Sequence, residues 1–232
     1  MKKLLVLLAA FVLLGGCVDS LFESDSNKFL RYLNMSQNAD YKVTYDATES
    51  IGSLTKNATY VVYSKDGETR IDSKRPNITG SSIYYLKKGN YSCSLGTYMY
   101  CMKIESLGSL GLYYDISYAM TSSRYSQIKD NPDNYGITSL EPKKIMGDDT
   151  ACFKVITKNY SVSKYYSLNN LTEIVCFSQD GIPYYRQSGL YQISDSTDIE
   201  IIMTATKRDI PKDSDFIVTE TSSGNIKYND ST

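Results

Sequence analysis

The sequence contains no histidine and no tryptophan among its 232 residues. Without histidine, the chain lacks the usual general base at neutral pH and the commonest metal ligand. It also lacks a Gly-x-Ser-x-Gly nucleophile motif and a glycine-rich phosphate loop. A serine–lysine pair is the catalytic arrangement that these absences leave open. We therefore expect a protein that is not an enzyme and that holds neither a metal nor another cofactor.

An excess of charge of one sign is missing as well. The 25 lysine and arginine residues nearly balance the 26 acidic residues, which gives a formal net charge of −1. Binding to nucleic acid depends on a strongly basic surface. The charge balance therefore disfavours nucleic acid as a partner.

One long apolar run, residues 4–14, stands near the start of the chain and follows two lysines. Its eleven residues suit the hydrophobic part of a signal peptide. They are too few for a membrane-spanning helix of about 20 residues. The segment Leu14-Gly15-Gly16-Cys17 ends this region with small residues and a thiol.

This segment resembles the lipobox of archaeal and bacterial lipoproteins. The resemblance implies that residues 1–16 are removed as a signal peptide and that Cys17 becomes a lipid-anchored N-terminus. A plain secretory signal and an uncleaved anchor are the alternatives. All three interpretations place the chain at a cell membrane, and we expect it to face the extracytoplasmic side.

Four cysteines remain beyond Cys17, and four cysteines can pair in three ways. An even number in an exported chain is typical of disulfides. We favour the pairs Cys93–Cys101 and Cys152–Cys176, because the members of each pair are close in sequence and have strand-like neighbours. A zinc site is the alternative, but the chain has no Cys-x-x-Cys spacing.

Tyrosine, by contrast, is abundant, with 22 residues. Many of the tyrosines stand at alternating or adjacent positions. Their apolar ring and polar hydroxyl suit the half-buried surface of a β-sheet. We interpret them as aromatic faces of a sheet, and a row of ligand-binding rings is the alternative.

Asn-x-Ser/Thr sequences recur along the chain and are acceptors for N-glycosylation in exported proteins. Some matches are accidental in a chain this rich in asparagine, serine and threonine. Their number nevertheless fits a cell-surface protein, and an archaeal one better than a typical bacterial one. The candidates are Asn34, Asn57, Asn77, Asn90, Asn159, Asn170 and Asn229.

The apolar pattern divides the mature chain into two helices and many strands. Helical spacing over residues 19–34 predicts a first helix within the N-terminal segment 17–40. A mixed apolar stripe over residues 104–128 predicts a second helix. We find no linker, and therefore expect a single domain over residues 41–218, followed by a polar tail, 219–232.

Strands are predicted wherever apolar and polar residues alternate. Lys65-Asp66-Gly67 and Gln179-Asp180-Gly181 predict tight hairpins between neighbouring strands. Short turns of this kind favour an antiparallel arrangement. The predicted strands lie around residues 41–46, 58–63, 68–72, 82–87, 98–103, 137–145, 151–157, 172–178, 183–187 and 197–207.

This order of elements resembles the LolA-like and LppX-like envelope lipoproteins and the related RseB. The resemblance covers most of the mature chain and implies an α+β fold. In this fold an antiparallel sheet curves into an incomplete barrel, with helices over the open side. The matching segments are Tyr41-x-Val43-x-Tyr45, Lys65-Asp66-Gly67 with Arg70-Ile71-Asp72, Ile83-Tyr84-Tyr85-Leu86, Cys176-Phe177 with Asp180-Gly181-Ile182-Pro183, Arg208-Asp209-Ile210-Pro211 and Asp215-Phe216.

Several members of this family hold lipid or acyl chains in the concave interior. The resemblance therefore implies a ligand cavity lined by the alternating apolar residues, and a solid core beneath the helices is the alternative. The cavity candidates are Tyr41, Val43, Tyr45, Tyr60, Val62, Tyr84, Leu86 and Tyr98.

Two functions follow as hypotheses. The first is a lipid-anchored binding protein that holds a lipid or another hydrophobic small molecule in the half-barrel. The second is a structural or sensing protein of the envelope that binds a protein partner and has a solid core. Co-purification of an apolar molecule would distinguish the first from the second.

Overall fold

The computed structural model describes residues 23–76, 78–95, 99–104, 122–158, 161–163, 166–167, 170–190, 199–220 and 226–227. The predicted signal segment and lipid-attachment site Cys17 lie outside the described residues. The same holds for three of the glycosylation candidates and for one of the cavity candidates. These are Asn77, Asn159, Asn229 and Tyr98.

An eleven-stranded antiparallel sheet forms the body of the protein, in the order β6-β5-β4-β3-β2-β1-β13-β12-β11-β8-β7. Two short pairs, β9 with β10 and β14 with β15, stand apart from it. The strands are β1 (Tyr41–Ile51), β2 (Leu54–Lys65), β3 (Glu68–Arg75), β4 (Ile78–Leu86), β5 (Gly89–Leu95), β6 (Met99–Ile104), β7 (Tyr135–Ile145), β8 (Asp148–Lys158), β9 (Ser161–Ser163), β10 (Tyr166–Ser167), β11 (Asn170–Phe177), β12 (Pro183–Leu190), β13 (Ile199–Asp209), β14 (Thr219–Glu220) and β15 (Ile226–Lys227).

The sheet joins two consecutive series of strands at one central seam. Strands β1 to β6 form the first series, and β7, β8, β11, β12 and β13 form the second. The seam is the pairing of β1 with β13, in which Lys42 stands opposite Asp209 and Ile51 opposite Ile199. Among the described strands, β6 and β7 are the edges of the sheet and do not pair with each other. The predicted incomplete antiparallel barrel is therefore confirmed.

Helix α1 (Asp25–Asn38) begins where Ser24 caps it. The Ser24 hydroxyl accepts a hydrogen bond from the Asn27 backbone N–H at 3.2 Å, as a helix N-cap does. Phe29 and Leu33 lie four residues apart on the buried face of the helix. The sequence pattern placed this helix at 19–34, but residues 23–24 are not helical and the helix continues to Asn38.

Helix α2 (Ser122–Asp130) lies within the second predicted helix, 104–128. The predicted beginning was wrong at its first residue, because Ile104 ends strand β6 instead. Residues 105–121 lie outside the described part of the chain. Within α2, Arg124 and Ile128 are four residues apart and buried, so they point to the same side.

The helices cover one side of the sheet. Directly opposed residues of antiparallel strands point to the same side, and one such row crosses six strands. Helix α1 packs on this side, since the ring of Phe29 lies 5.4 Å from that of Phe153. We call this side the inner face and the opposite side the outer face. The row consists of Ala58, Ala47, Met203, Arg186, Val175 and Phe153.

The segment that follows β13 covers part of the outer face. A short 3₁₀ helix, Asp213–Phe216, places the ring of Phe216 at 6.5 Å from that of Tyr63. Val218 is buried in the same cluster. Arg70 donates a hydrogen bond to the carbonyl oxygen of Asp215 at 3.0 Å, which fixes the segment to strand β3.

Both predicted hairpin turns are present. Asp66 and Gly67 have φ values of 51° and 78°, the two positive angles that a type I′ turn requires. At the second turn, the N–H of Gly181 donates to the Ser178 carbonyl at 2.9 Å. Gly181 has a φ of 84° and lies directly beneath helix α1.

Both predicted disulfides are confirmed. Cys93 pairs with Cys101 and Cys152 with Cys176, and each pair stands directly opposed on neighbouring strands with a Cα–Cα distance of 4.0 Å. On the chain-entropy model, the two loops contribute about 2.5 and about 3.5 kcal/mol respectively. The disulfides thus fasten one pair of neighbouring strands in each series.

Candidate functional site

Five of the predicted cavity residues come together on the inner face. They lie on β1 and β2, where Tyr41, Val43, Tyr45, Tyr60 and Val62 are each at most 1% exposed. Burial raises the pKa of Tyr41 to about 12 and that of Tyr45 well above its usual value. These tyrosines therefore stay protonated in the physiological range.

The tyrosine hydroxyls on this face have partners within the protein. Tyr45 donates to the carbonyl oxygen of Pro183 at 2.5 Å, and Tyr60 donates to the carboxylate of Glu49. A hydroxyl that is already bonded inside the fold offers less to a ligand. On β1 and β2 the inner face therefore has the character of a packed core.

Two other cavity candidates require a correction, because Tyr84 and Leu86 lie on the outer face. Ile71 points to the inner face opposite Val62, and it pairs with Ile83. Side chains alternate along a strand, so the neighbouring Tyr84 must point outward. It packs in the cluster that the C-terminal segment covers. Because Tyr84 and Tyr85 are adjacent tyrosines, the sequence pattern does not show which of them points to the inner face.

The described glycosylation candidates are spread over the molecule. Asn34 is exposed on helix α1, and Asn57 is exposed on β2. Asn90 is half-buried at the start of β5, and Asn170 begins β11. Asn57 differs from the others in lying at the large groove described next.

A groove of about 830 Å³ opens on the outer face, over β1, β2, β3 and β13. Its floor is made of two rows of opposed side chains, and nearly all of them are polar. The first row is Lys74, Thr59, Asp46 and Thr204, and the second is Asn57, Thr48 and Ile202.

One wall of the groove is formed by Arg75 and Pro76. The guanidinium of Arg75 turns to the inner face, where it makes two hydrogen bonds of 2.9 Å to the carboxylate of Glu49. Such a paired arrangement holds both side chains in one geometry. A second cavity of about 270 Å³ adjoins this wall, and Lys56 contributes to its lining.

A group of three charged side chains is buried between the inner face and helix α2. Glu173 on β11 accepts hydrogen bonds from Arg124 at 3.1 Å and from Arg186 at 2.8 Å. The side chains of all three residues are at most 5% exposed. Burial opposes the ionisation of Glu173, but the two guanidinium groups outweigh it and lower its pKa to about 2. Glu173 is therefore ionised although it is buried.

Within the described ranges, no three histidine, cysteine, aspartate or glutamate side chains gather in a way that could hold a metal ion. In the same part of the chain, no helix has the length and apolar content needed to cross a membrane.

Neither the groove nor the buried charges were predicted from the sequence. The groove is lined by Asp46, Thr59, Lys74 and Thr204, which lie on four different strands. It could not be predicted because the alternation of residues along one strand does not show which strands become neighbours. The one sequence signal for the groove was the alternation of polar residues along β1, which places Asp46 and Thr48 together on its polar side.

Comparison with known proteins identifies the fold. A scan against protein-family models found no match, and a search of curated proteins also found none. Among solved structures, MucB aligns with 89% of this chain and 66% of its own, at 10% identity and a TM-score of 0.50. A chain of the Pseudomonas aeruginosa MucA/MucB complex aligns at 9% identity and a TM-score of 0.50, over 87% of this chain and 62% of that one. This chain has the MucB fold.

The MucB fold confirms the predicted resemblance at the level of architecture. The lipoprotein LppX from Mycobacterium tuberculosis also aligns, with 11% identity and a TM-score of 0.41, over 80% of this chain and 97% of LppX. The chain spans slightly less than two thirds of the length of the MucB chains that it matches.

Proposed function

We propose that this chain is a lipid-anchored, extracytoplasmic, non-enzymatic binding protein that engages a protein partner of the cell envelope through the outer groove. The observation that carries this proposal is the groove itself. Its volume of about 830 Å³ lies within the range of ligand-binding pockets. Solvent-exposed side chains such as those of Asn57 and Lys74 line it, so a partner can reach them.

The chemistry of the groove favours a polar, extended segment of a partner. The threonine and asparagine side chains of the floor can both donate and accept hydrogen bonds. The described lining of the groove carries the exposed ammonium group of Lys74 and the carboxylate of Asp46, and the adjoining cavity adds the exposed Lys56. We therefore expect a partner segment that carries acidic residues, because opposite charges favour association and orientation.

The scaffold suits the presentation of such a surface. Two disulfides are typical of proteins that work outside the cytoplasm. The Glu49–Arg75 pair on the inner face fixes the end of strand β3, from which Arg75 and Pro76 line the outer groove, and a preformed site loses less entropy on binding. The predicted anchor at Cys17 would hold this surface near the membrane.

A photo-crosslinking amino acid placed at Asn57 tests the proposal in whole cells. We expect one discrete crosslinked protein, and we expect Lys74→Glu to reduce its yield severalfold because the substitution reverses one charge of the groove. The matched control is the same amino acid at Lys154, which is also exposed on the outer face but lies on β8. Equal adducts from both positions, or none from Asn57, would contradict the proposal.

A hydrophobic ligand on the inner face is the second candidate, and the apolar cluster around Val43 and Val62 favours it. Native mass spectrometry of the domain from Val18 onward, purified under oxidising conditions, tests it. Because the described inner-face tyrosines are packed and hydrogen-bonded, we expect the bare protein mass. An adduct that disappears on denaturation would establish a carried small molecule, and its mass would begin to identify it.

A further inference from the structure

A small buried cavity lies between helix α1 and the inner face of the sheet. Its volume is about 20 Å³, which is enough for one water molecule or one monatomic ion. Most of its described lining is apolar, including Phe29, Leu33 and Val175. Arg124 and Arg186 also line it and bring positive charge into these apolar surroundings.

Among the described ion pairs beside the cavity, the charges do not balance. Glu173 supplies one carboxylate, and Arg124 and Arg186 supply two guanidinium groups, with all three side chains at most 5% exposed. Burying a charge without a counter-charge is costly, far more so than burying a neutral polar group. The group therefore carries one positive charge that the residues forming these ion pairs do not neutralise.

The hydrogen bonds show where that charge is uncompensated. Nη2 of Arg186 donates to Glu173, but its Nε and Nη1 are buried and have no hydrogen-bond partner in the part of the chain that the structure describes. A buried donor without an acceptor costs about 1–3 kcal/mol, and more when it is charged. Arg186 is thus a preformed donor beside a cavity that can hold one small acceptor.

We propose that this cavity is a buried anion site, occupied by a monovalent anion of about the size of chloride that accepts a hydrogen bond from Arg186. A water molecule would accept a hydrogen bond from Arg186 but would leave the positive charge in place. An anion would both accept the hydrogen bond and neutralise the charge. The small volume excludes larger anions such as gluconate and also excludes an acyl chain. The site would couple helices α1 and α2 to the sheet, and it is separate from the outer groove.

Thermal unfolding of the mature protein in neutral detergent tests this site, with bromide as the probe and gluconate maintaining constant ionic strength. We expect the Tm to rise by about 5 °C between about 1 and about 300 mM bromide, in proportion to the logarithm of the bromide concentration once the site is largely filled. Arg186→Gln should abolish the rise. The matched control is Arg208→Gln, which removes the same charge from a more exposed ion pair with Asp180 and should keep the rise.

Anomalous diffraction from crystals of the unsubstituted protein grown in bromide gives a second readout, which does not depend on how well the Arg186 variant folds. We expect one strong peak within hydrogen-bond distance of the Arg186 guanidinium. Identical Tm values in bromide and gluconate, or a water molecule at this position with no anomalous signal, would overturn the proposal.

Discussion

Replacement of Glu173 by glutamine should lower the free energy of unfolding by about 3–5 kcal/mol, because it leaves two buried guanidinium groups without their carboxylate. Denaturation by urea, followed by circular dichroism, measures the change. The matched control is Asp209→Asn, which removes a carboxylate from an exposed ion pair with Lys207 and should cost well under 1 kcal/mol. Similar losses in the two variants would show that the buried group does not act as a unit.

The same carboxylate makes a specific prediction about acid. The pKa of Glu173 is lowered from 4.5 to about 2 in the folded protein, so folding favours its ionised form. Its contribution of about 3 kcal/mol is complete above the unfolded pKa and is lost as the pH falls through the folded pKa. We therefore expect Glu173→Gln to flatten the loss of stability between about pH 4.5 and pH 2. An unchanged slope in that interval would contradict this assignment.

Replacement of Gly181 by alanine should destabilise the protein by about 3 kcal/mol through two effects that add. The φ of 84° is unfavourable for a residue with a Cβ atom. The new Cβ would also lie 2.4 Å from Cβ of Met35 and 3.0 Å from the backbone nitrogen of Ser36. Helix α1 would therefore have to move away from the hairpin between β11 and β12.

Gly147→Ala separates these two effects. Gly147 has a similar φ of 89°, but a Cβ atom there would meet nothing within 4 Å. We expect this variant to lose only about 1 kcal/mol from backbone strain. Hydrogen exchange of α1 provides the second measurement, since only the Gly181 variant should expose the amides of the helix. Equal losses of stability in the two variants would show that the contact with Met35 is unimportant.

Local features of this fold could be predicted from the sequence because neighbouring residues determine them. The turns at Asp66-Gly67 and at Asp180-Gly181 each need a residue that tolerates positive φ. Gly67 and Gly181 occupy such positions, so the sequence itself indicates the turns. The two disulfides could be predicted because each cysteine pair closes a short segment between strands that are neighbours in the sheet.

Features that depend on register could not be predicted in the same way. Tyr84 and Tyr85 are equally suited to either face, and the pairing of Ile83 with Ile71 decides between them. The buried charges depend on Arg124, Glu173 and Arg186, which only the packed helix and two strands bring together. Nothing in the sequence around any one of these residues marks it as buried.

The pairing of β1 with β13 affects how the protein folds while it is being synthesised. Lys42 on β1 cannot pair with Asp209 on β13 until residues 43–208 have been synthesised. During synthesis from the N-terminus, β1 therefore presents an unpaired edge while the first six strands can already form a sheet. Open edges of this kind attract other strands, and long-range pairing is slow. The nascent protein would thus need protection from aggregation until β13 has been made and has paired with β1.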